Sequence, residues 1–327
     1  MKTNPPWQRP APELFAAASS VKTLRDLIRL GASAFNAAGL SFGHGSDNAL
    51  DEATALVLWA VHLPPETASE LLDCALTPTE IDGCIALLNR RIESREPAAY
   101  LTGEAWLRGL SFRADKRALV PRSLIVEALQ DALPEWLEAM QWPLFNEGTR
   151  VLDLCCGSGS IAIHAALMFE QASVTAIDID AQALELCLEN IAAYGLEPRV
   201  SVMRSNLLDS CDTPDQFDLI LTNPPYVPAH SMRTLPAEYQ AEPEGALAAG
   251  FDGMDIIRPI LASAEQRLAP HGLLILELGH EISAFVSAFP RLAFGTLPVT
   301  AGDEMILVIT QAQLQAAGLT PTDTHPA

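Results

Sequence analysis

Short apolar runs alternate with stretches of helical periodicity along the chain from about residue 121 onward. The clearest of these runs are residues 151–154, 174–177, 200–203, 217–221 and 273–276. This alternation favours an α/β domain, a doubly wound parallel sheet with helices on both faces. Ligand sites in such sheets lie at the carboxyl ends of the strands. Two later runs, 292–297 and 305–309, are separated by a Gly302-Asp303 turn and predict a closing hairpin.

The preceding part of the chain has a different pattern. From about Ala11 to Arg95, apolar residues recur three and four positions apart, and Pro64-Pro65 and Thr77-Pro78 interrupt the pattern, so three to five short helices are expected. This helical part either covers the catalytic domain or docks a protein substrate, and we favour docking. Glycines and an alternating pattern then predict a hairpin linker. We therefore expect a helical domain, a linker, a sheet domain and a flexible tail at residues 1–95, 96–120, 121–314 and 315–327.

The net charge limits the class of partner. Acidic residues outnumber basic ones 41 to 20, which gives a formal charge of −21. A free-standing DNA or RNA binder needs Lys and Arg against the phosphates, so this balance argues against one. An acidic body instead favours a basic protein partner, although solubility alone would also explain the charge.

The cysteine pattern indicates a reducing compartment, and the hydropathy pattern indicates neither a signal peptide nor a membrane span. The six cysteines form no CxxC pair and have no nearby His at ligand spacing, so we expect reduced thiols and no metal. Residues 1–10 lack the apolar centre of a signal peptide, and residues 56–63 are too few to span a bilayer. We expect a cytoplasmic protein that does not contact membranes.

A glycine-rich loop follows the first apolar run of the sheet domain. Asp153-Leu-Cys155-Cys156-Gly157-Ser158-Gly159 lies where a strand turns into a helix. Glycines there allow a nucleoside to approach the backbone, and the helix N-terminus supplies free N–H donors. Asp178 closes the next strand, where its carboxylate can accept both hydroxyls of a ribose. Together these residues predict a nucleoside site.

Two features distinguish the candidate cofactors. Gly157, Gly159 and Ala162 satisfy the loose dinucleotide pattern G-x-G-x-x-[GA]. However, Asp153 at the start of the loop can bind the amino group of a methionine moiety. The Asn-Pro-Pro-Tyr sequence after the fourth strand also has no role in hydride transfer. We therefore expect S-adenosyl-L-methionine rather than a nicotinamide.

The tetrapeptide Asn223-Pro224-Pro225-Tyr226 is the most specific signal in the chain. Two successive prolines fix φ and remove two N–H donors, so this turn exposes carbonyl oxygens. The Asn223 side-chain carbonyl and the Pro224 carbonyl can accept both hydrogens of one NH2 group, and Tyr226 offers a flat face for a planar group. A rigid proline turn without function is the simpler alternative. We interpret the tetrapeptide as the site of methyl transfer to an amide or amino nitrogen.

Other polar residues near the predicted site have two readings. Asn206, after the third strand, could reach an adenine amino group or could stabilise a turn. Cys155 and Cys156 lie in the loop, where packing is favoured over catalysis.

Six segments resemble the HemK/PrmB family of protein-glutamine N5-methyltransferases, over roughly residues 50–310. The resemblance is closest to the PrmB branch, because the PRS-x-I and TGEAW sequences and residues 51–64 are similar to it. The matching segments are AYLTGEAWLRGLSF (99–112), LVPRSLIVE (119–127), VLDLCCGSGSIA (151–162), TAIDID (175–180), FDLILTNPPYV (217–227) and EPEGALAAGFDGMD (242–255).

The resemblance implies a fold and a reaction. The fold is a class I S-adenosylmethionine methyltransferase, Rossmann-like, with a seven-stranded sheet whose last strand is antiparallel, plus a helical N-terminal domain that recognises the substrate protein. The implied reaction is N5-methylation of one glutamine in the third protein of the large ribosomal subunit. The loop 155–159 and Asp178 would then bind the cofactor, and residues 223–226 the glutamine amide. Asn206 departs from the family, which commonly has Asp there.

Three alternatives remain open from the sequence. A DNA amino-methyltransferase uses a similar proline motif, but it must flip a base and bind phosphates, and this chain has no basic stripe. A non-catalytic module could retain the cofactor pocket, although the intact tetrapeptide argues against this. The sister activity on peptide-chain release factors is the third alternative.

Overall fold

The structure, a computed structural model, describes residues 20–143, 145, 148–209 and 216–319. The chain forms two compact units. The helical unit contains the described residues up to Glu104 together with Pro236–Ala241, and the sheet unit contains the remainder. The start of the predicted helical pattern, the N-terminal ten residues, Cys211 and the end of the predicted tail lie outside the described residues.

The helical unit consists of α1 (Leu24–Ala38), α2 (Ala49–Ala60), α3 (Pro78–Ser94) and α4 (Ala98–Thr102), with a 3-10 turn at Ser69–Asp73. Capping side chains begin the three longer helices. Thr23 and Thr77 form capping boxes, and the Asn48 side chain accepts the N–H groups of residues 50 and 51. Three α-helices and a 3-10 turn lie within the described residues before Arg95, in agreement with the three to five short helices predicted there.

The helical unit also accepts a segment from far along the sequence. Helix α10 (Ala237–Gln240) lies within Pro236–Ala241 and belongs to this unit. Glu238 of this helix is fully buried and meets Arg91 of α3, with 3.4 Å between Nη1 and Oε1. Nothing in the sequence pattern indicated that this segment would leave the sheet domain.

The predicted hairpin is present as β1 (Glu104–Leu107) and β2 (Leu110–Arg113). The remaining strands form one sheet, and they are β3 (Arg150–Leu154), β4 (Ser173–Asp178), β5 (Val200–Arg204), β6 (Phe217–Thr222), β7 (Leu268–Glu277), β8 (Gly295–Thr296) and β9 (Ile306–Thr310). The helices of this unit are α5 (Ile125–Glu127), α6 (Leu133–Ala139), α7 (Ser160–Met168), α8 (Ala181–Ala193), α9 (Ala229–Met232), α11 (Ile257–Arg267), α12 (Ile282–Ala288) and α13 (Gln311–Ala317). A π-helical turn, Ala128–Ala132, joins α5 to α6, and a 3-10 turn occupies Glu244–Ala246.

The seven strands of the large sheet have the order β5-β4-β3-β6-β7-β9-β8. The strands from β3 to β7 are parallel, whereas β9 runs antiparallel between β7 and β8. This confirms the predicted class I fold with its antiparallel last strand. The order reverses between β3 and β6, and ligand sites of doubly wound sheets lie at such a point.

Both faces of this sheet are buried. Along β3, Val151 packs into one hydrophobic cluster, while Leu152 and Leu154 pack into the cluster on the opposite side. Alternate residues of β7 divide in the same way, with Leu273 and Ile275 on the first face. Burial on both faces explains why these strands appear in the sequence as continuous apolar runs rather than alternating ones.

Two details of the sequence prediction were wrong. The apolar spacing in the sequence predicts that the buried face of α8 consists of Ala183, Leu184, Cys187, Leu188 and Ile191, but Leu188 is 51% exposed, and Leu186 is buried instead. Residues 315–317 were expected to begin the flexible tail, yet they complete α13, which Thr310 caps and Gly318 ends with a φ of 59°. Within the described residues, no helix is long and apolar enough to cross a membrane.

Candidate active site

The glycine-rich loop turns sharply between β3 and α7. Cys155, Gly157 and Gly159 all have positive φ, at 62°, 52° and 79°. The Cys156 N–H donates to the Ile177 carbonyl at 2.9 Å, which ties the loop to the end of β4. A Cβ on Gly159 would lie 2.5 Å from the Cys187 sulfur, so only glycine fits there. The loop therefore keeps its backbone close to α8.

Asp178 fixes this loop from the end of β4. Its Oδ2 accepts the Gly157 N–H at 2.9 Å, and its Oδ1 accepts the Asp180 N–H at 3.0 Å. Burial raises the pKa of Asp178, and these backbone N–H groups oppose that rise. Each carboxylate oxygen has a further lone pair, so Asp178 can still accept hydroxyl groups from a ligand.

Asp153 lies beneath the loop, fully buried. Its Oδ2 accepts the Ala162 N–H at 2.9 Å, while its Oδ1 has no hydrogen-bond partner among the described residues. Burial raises the pKa of Asp153 to about 7, opposed by the Ala162 N–H. A buried carboxylate oxygen without a partner is costly, and a donor from a bound ligand would satisfy it.

A cavity of about 260 Å³ opens above the loop, within the sheet unit. Asp178 and Asn223 both face it, from β4 and from the end of β6. Its wall consists mainly of the segments 117–123, 154–158, 177–180 and 205–207, together with Asn223 and Pro225. The structure thus brings the predicted nucleoside site and part of the tetrapeptide to one cavity.

Not every predicted site residue lines this cavity. Asp153, Gly159, Pro224 and Tyr226 do not contribute to its wall. Pro224 is buried, and Tyr226 is half-buried with its ring against Gly279, where an added Cβ would approach ring atoms to 3.1 Å. The roles of Pro224 and Tyr226 toward a substrate amide therefore stay predictions.

Asn206 has features of both of its predicted roles. It lines the cavity, yet its side-chain NH2 donates to the Asp209 carboxylate at 3.0 Å. Its backbone carbonyl also accepts the Asp209 N–H at 3.1 Å. The residue thus stabilises a turn at the edge of the cavity. Its contact with an adenine stays a prediction.

The two loop cysteines are poor nucleophiles. Both line the cavity, and Cys156 is buried. Burial raises the pKa of the Cys155 thiol well above its usual value. The hydrogen bond with Cys187 and, to a smaller extent, burial raise the pKa of the Cys156 thiol well above its usual value. Since the thiolate is the reactive form, these side chains contribute packing and shape.

The segment 117–123 forms a wall of the cavity that sequence reasoning did not assign to the site. Glu242 fixes this wall, because its buried carboxylate accepts the Val120 N–H at 3.0 Å and both Nη groups of Arg122. From the other side, Glu277 at the end of β7 accepts the Ser123 hydroxyl at 2.6 Å and the Leu124 N–H at 3.1 Å. The LVPRSLIVE motif was the available signal, but a motif without glycine does not itself indicate a ligand.

Known proteins with similar sequences cover nearly the whole chain. A family model described as "Methyltransferase small domain" matches residues 135–238. A "Ribosomal protein uL3 glutamine methyltransferase" of Bordetella pertussis is 48% identical over 90% of this chain and 97% of its own length. Proteins of the same name from Burkholderia pseudomallei and Xanthomonas campestris are 46% and 44% identical, over 90% and 92% of this chain and 96% and 95% of theirs. This chain belongs to that glutamine methyltransferase family. The family resemblance expected from the motifs is thereby confirmed.

The residues of the cavity fit the methyl donor of a glutamine methyltransferase, S-adenosyl-L-methionine. Asp178 retains acceptor capacity for ribose hydroxyls, and residues 155–158 of the loop line the same cavity. Asp153 does not reach the wall of this cavity, so its contact with the methionine moiety stays a prediction. Asn223 lines the same cavity, and its contact with a methyl acceptor stays a prediction.

Proposed function

We propose that this chain transfers the methyl group of S-adenosyl-L-methionine to the side-chain amide nitrogen, N5, of a glutamine in ribosomal protein uL3. The observation that carries the proposal is the placement of Asn223, at the carboxyl end of β6, in the wall of the cavity that Asp178 and the glycine-rich loop also form. The proteins named as uL3 glutamine methyltransferases support the choice of substrate.

The proposed chemistry depends on orienting a weak nucleophile. An amide nitrogen has a delocalised lone pair, so it attacks poorly unless its environment favours positive charge on nitrogen. The Asn223 side-chain carbonyl and the Pro224 carbonyl accept the two amide hydrogens and direct the nitrogen toward the cavity. Bound S-adenosyl-L-methionine supplies a methyl group already activated by its sulfonium. Orientation of this kind lowers a barrier by up to roughly 7–11 kcal/mol.

In this mechanism the substrate nitrogen loses its proton to solvent after methyl transfer. Asn223 is neutral and cannot act as a base, so its role is to accept a hydrogen bond throughout the reaction. Acceptors that already point at the developing positive charge need not reorganise, and they stabilise the transition state more than the ground state. The wall held by Glu242 and Glu277 keeps the cavity shaped for this geometry.

The net charge of −21 supports a basic protein as substrate. Ribosomal proteins bind RNA and are basic, so long-range attraction would raise their rate of encounter with this chain. A release factor is a possible substrate of the sister activity, but the named relatives favour uL3. A ribosomal protein substrate also places the reaction in the cytoplasm.

The helical unit is proposed to recognise the substrate protein. Its exposed large apolar side chains include Leu50 on α2, Trp59 on α2 and Leu71, which are 54%, 40% and 45% exposed. Replacing Leu50 and Leu71 by Ser should raise the KM for the protein substrate and leave the Kd for S-adenosyl-L-methionine unchanged. An unchanged KM would remove these side chains from the recognition surface.

The experiment that tests the function uses the purified full-length chain and tritiated S-adenosyl-L-methionine. Ribosomal protein uL3 from cells that lack this methyltransferase should become labelled, and mass spectrometry should find one added methyl group on a single glutamine side chain. A peptide-chain release factor and duplex DNA serve as the alternative substrates. The proposal would be overturned if either alternative substrate were labelled faster than uL3, or if uL3 were not labelled at all.

A further inference from the structure

A loop beside the tetrapeptide carries the most exposed large apolar side chain among the described residues. Phe251 is 83% exposed, whereas the next most exposed, Ile179, is at 59%. Single exposed apolar residues are common on protein surfaces and need no explanation on their own. The position and rigidity of this loop, residues 250–253, give Phe251 a different meaning.

The loop is hydrogen-bonded to the residues that directly follow the tetrapeptide in the sequence. The Ala229 N–H donates to the Gly250 carbonyl at 2.7 Å, and the Ala249 N–H donates to the Val227 carbonyl at 3.0 Å. On the other side of Phe251, a Cβ on Gly253 would lie 2.5 Å from the Tyr226 carbonyl oxygen. Phe251 is thus bracketed by residues that touch Tyr226 and the three residues after it.

The loop is also held in one conformation. Gly250 and Gly253 have φ of 76° and 80°, and a Cβ on Gly250 would lie 1.7 Å from an Asp255 carboxylate oxygen. Asp252 accepts the Met254 N–H at 3.0 Å and pairs with Arg258, which is 7% exposed. The contacts of Asp252 with the Met254 N–H and the largely buried Arg258 guanidinium therefore hold the loop, and glycine is required at residues 250 and 253 because a Cβ would clash there.

We propose that Phe251 is a substrate-contact residue that packs against an apolar side chain flanking the target glutamine of the substrate protein. The inference rests on the proposed function, because residues 223–226 bind the glutamine amide there. The polypeptide on either side of that glutamine then passes over the surface next to residues 226–229, where Gly250 and Gly253 hold the Phe251 loop. A rigid, exposed aromatic ring has little conformational entropy to lose, and it gains by leaving water, as anchor residues of interfaces do.

Steady-state kinetics on intact uL3 tests the inference, with the variants Phe251→Ala and Phe251→Leu. For Phe251→Ala the KM for uL3 should rise by about tenfold, as expected for a lost aromatic anchor. The kcat and the Kd for S-adenosyl-L-methionine should stay within a factor of about two, and Phe251→Leu should recover most of the affinity. Because the side chain is so exposed, neither variant should lower stability.

The matched control is Leu188→Ala, which removes a 51% exposed apolar side chain from α8 of the same unit. Its KM for uL3 should equal that of the unchanged chain. A wild-type KM for Phe251→Ala, or a fall in its kcat or cofactor affinity, would overturn the inference. If the unchanged chain does not methylate uL3, the proposed function itself fails, and the two failures are thereby distinguished.

Discussion

The two compact units bury charged groups in different ways. In the helical unit, Arg91 is fully buried and meets two buried carboxylates, with its Nε 2.8 Å from Glu52 and its Nη1 3.4 Å from Glu238. In the sheet unit, the buried Glu242 pairs with Arg122, but the buried carboxyls of Asp153 and Glu277 accept hydrogen bonds from backbone N–H groups and a hydroxyl. Opposite charges satisfy each other in the cluster of the helical unit, whereas neutral donors serve Asp153 and Glu277.

This difference indicates which buried carboxyl groups can still accept a hydrogen bond from a ligand. A buried ion cluster fixes a conformation, so its role is structural. Burial raises the pKa of Glu52 in this cluster as well as those of Asp153 and Glu277, but Asp153 differs in keeping an oxygen without a partner among the described residues. Changes to the Arg91 cluster should therefore alter stability, while changes to Asp178 and Asn223 should alter binding and turnover.

The largest effect is expected from breaking the cluster of the helical unit. Arg91→Leu leaves Glu52 and Glu238 buried without their partner, which should lower the free energy of unfolding by about 3–5 kcal/mol. The matched control, Arg25→Leu, removes an exposed pair with Asp73 and should leave that free energy nearly unchanged. Urea denaturation followed by circular dichroism measures both. Equal stabilities of the two variants would contradict the structural role of the cluster.

Asn223→Ala should have the opposite profile in the sheet unit. Losing an acceptor that is aligned with the transition state should lower kcat roughly 10²–10³-fold. The free energy of unfolding and the Kd for S-adenosyl-L-methionine should change little, because the side chain is only half-buried. Single-turnover methylation of uL3 and calorimetric titration give these values. A variant that binds the donor poorly but turns over normally would refute the assigned role.

Asp178→Ala separates donor binding from turnover within the same unit. The variant should raise the Kd for S-adenosyl-L-methionine roughly 10–100-fold, since hydrogen bonds to a charged group contribute about 1.5–3 kcal/mol. Part of this loss reflects the Gly157 N–H, which also loses its acceptor. Asn223→Ala is the reciprocal control in the same titration. Donor affinity that survives the loss of Asp178 would show that this carboxylate does not bind the ribose.

The smallest effect is a change in the pH dependence of stability. Burial raises the pKa of Glu277 from 4.5 to about 7 in the folded chain. Between these values the unfolded chain has lost the proton and the folded chain keeps it, so stability falls as pH rises through this window. Glu277→Gln should make that fall shallower by roughly 1–3 kcal/mol. Asp153, whose pKa is raised from 3.8 to about 7, contributes to the remaining slope together with Glu52 and Asp178, whose pKa values burial also raises.

Denaturation at a series of pH values across this window measures the effect of Glu277→Gln. The unchanged chain and the variant should converge toward the acid end of the window, where Glu277 is protonated in both folded and unfolded states. A variant whose stability falls as steeply as that of the unchanged chain would show that Glu277 titrates normally.

Much of the sheet unit could be predicted because its signals are local. A strand buried on both faces is a continuous apolar run, and a loop that needs positive φ selects glycine at residues 157 and 159. The tetrapeptide was likewise readable, since two prolines restrict the backbone whatever surrounds them. The exposure of Leu188 could not be predicted, because the apolar character of a helical residue does not indicate which neighbours cover it.

The sequence by itself determined the fold class, the glycine-rich loop, the Asp178 position and the tetrapeptide, because each depends on backbone constraints within a few residues. Only the tertiary structure decided that the segment 117–123 forms a wall of the cavity and that Glu242 and Glu277 hold it. It alone placed Pro236–Ala241 in the helical unit. These contacts join residues more than a hundred positions apart, and no local propensity encodes which distant partner a buried carboxylate will meet.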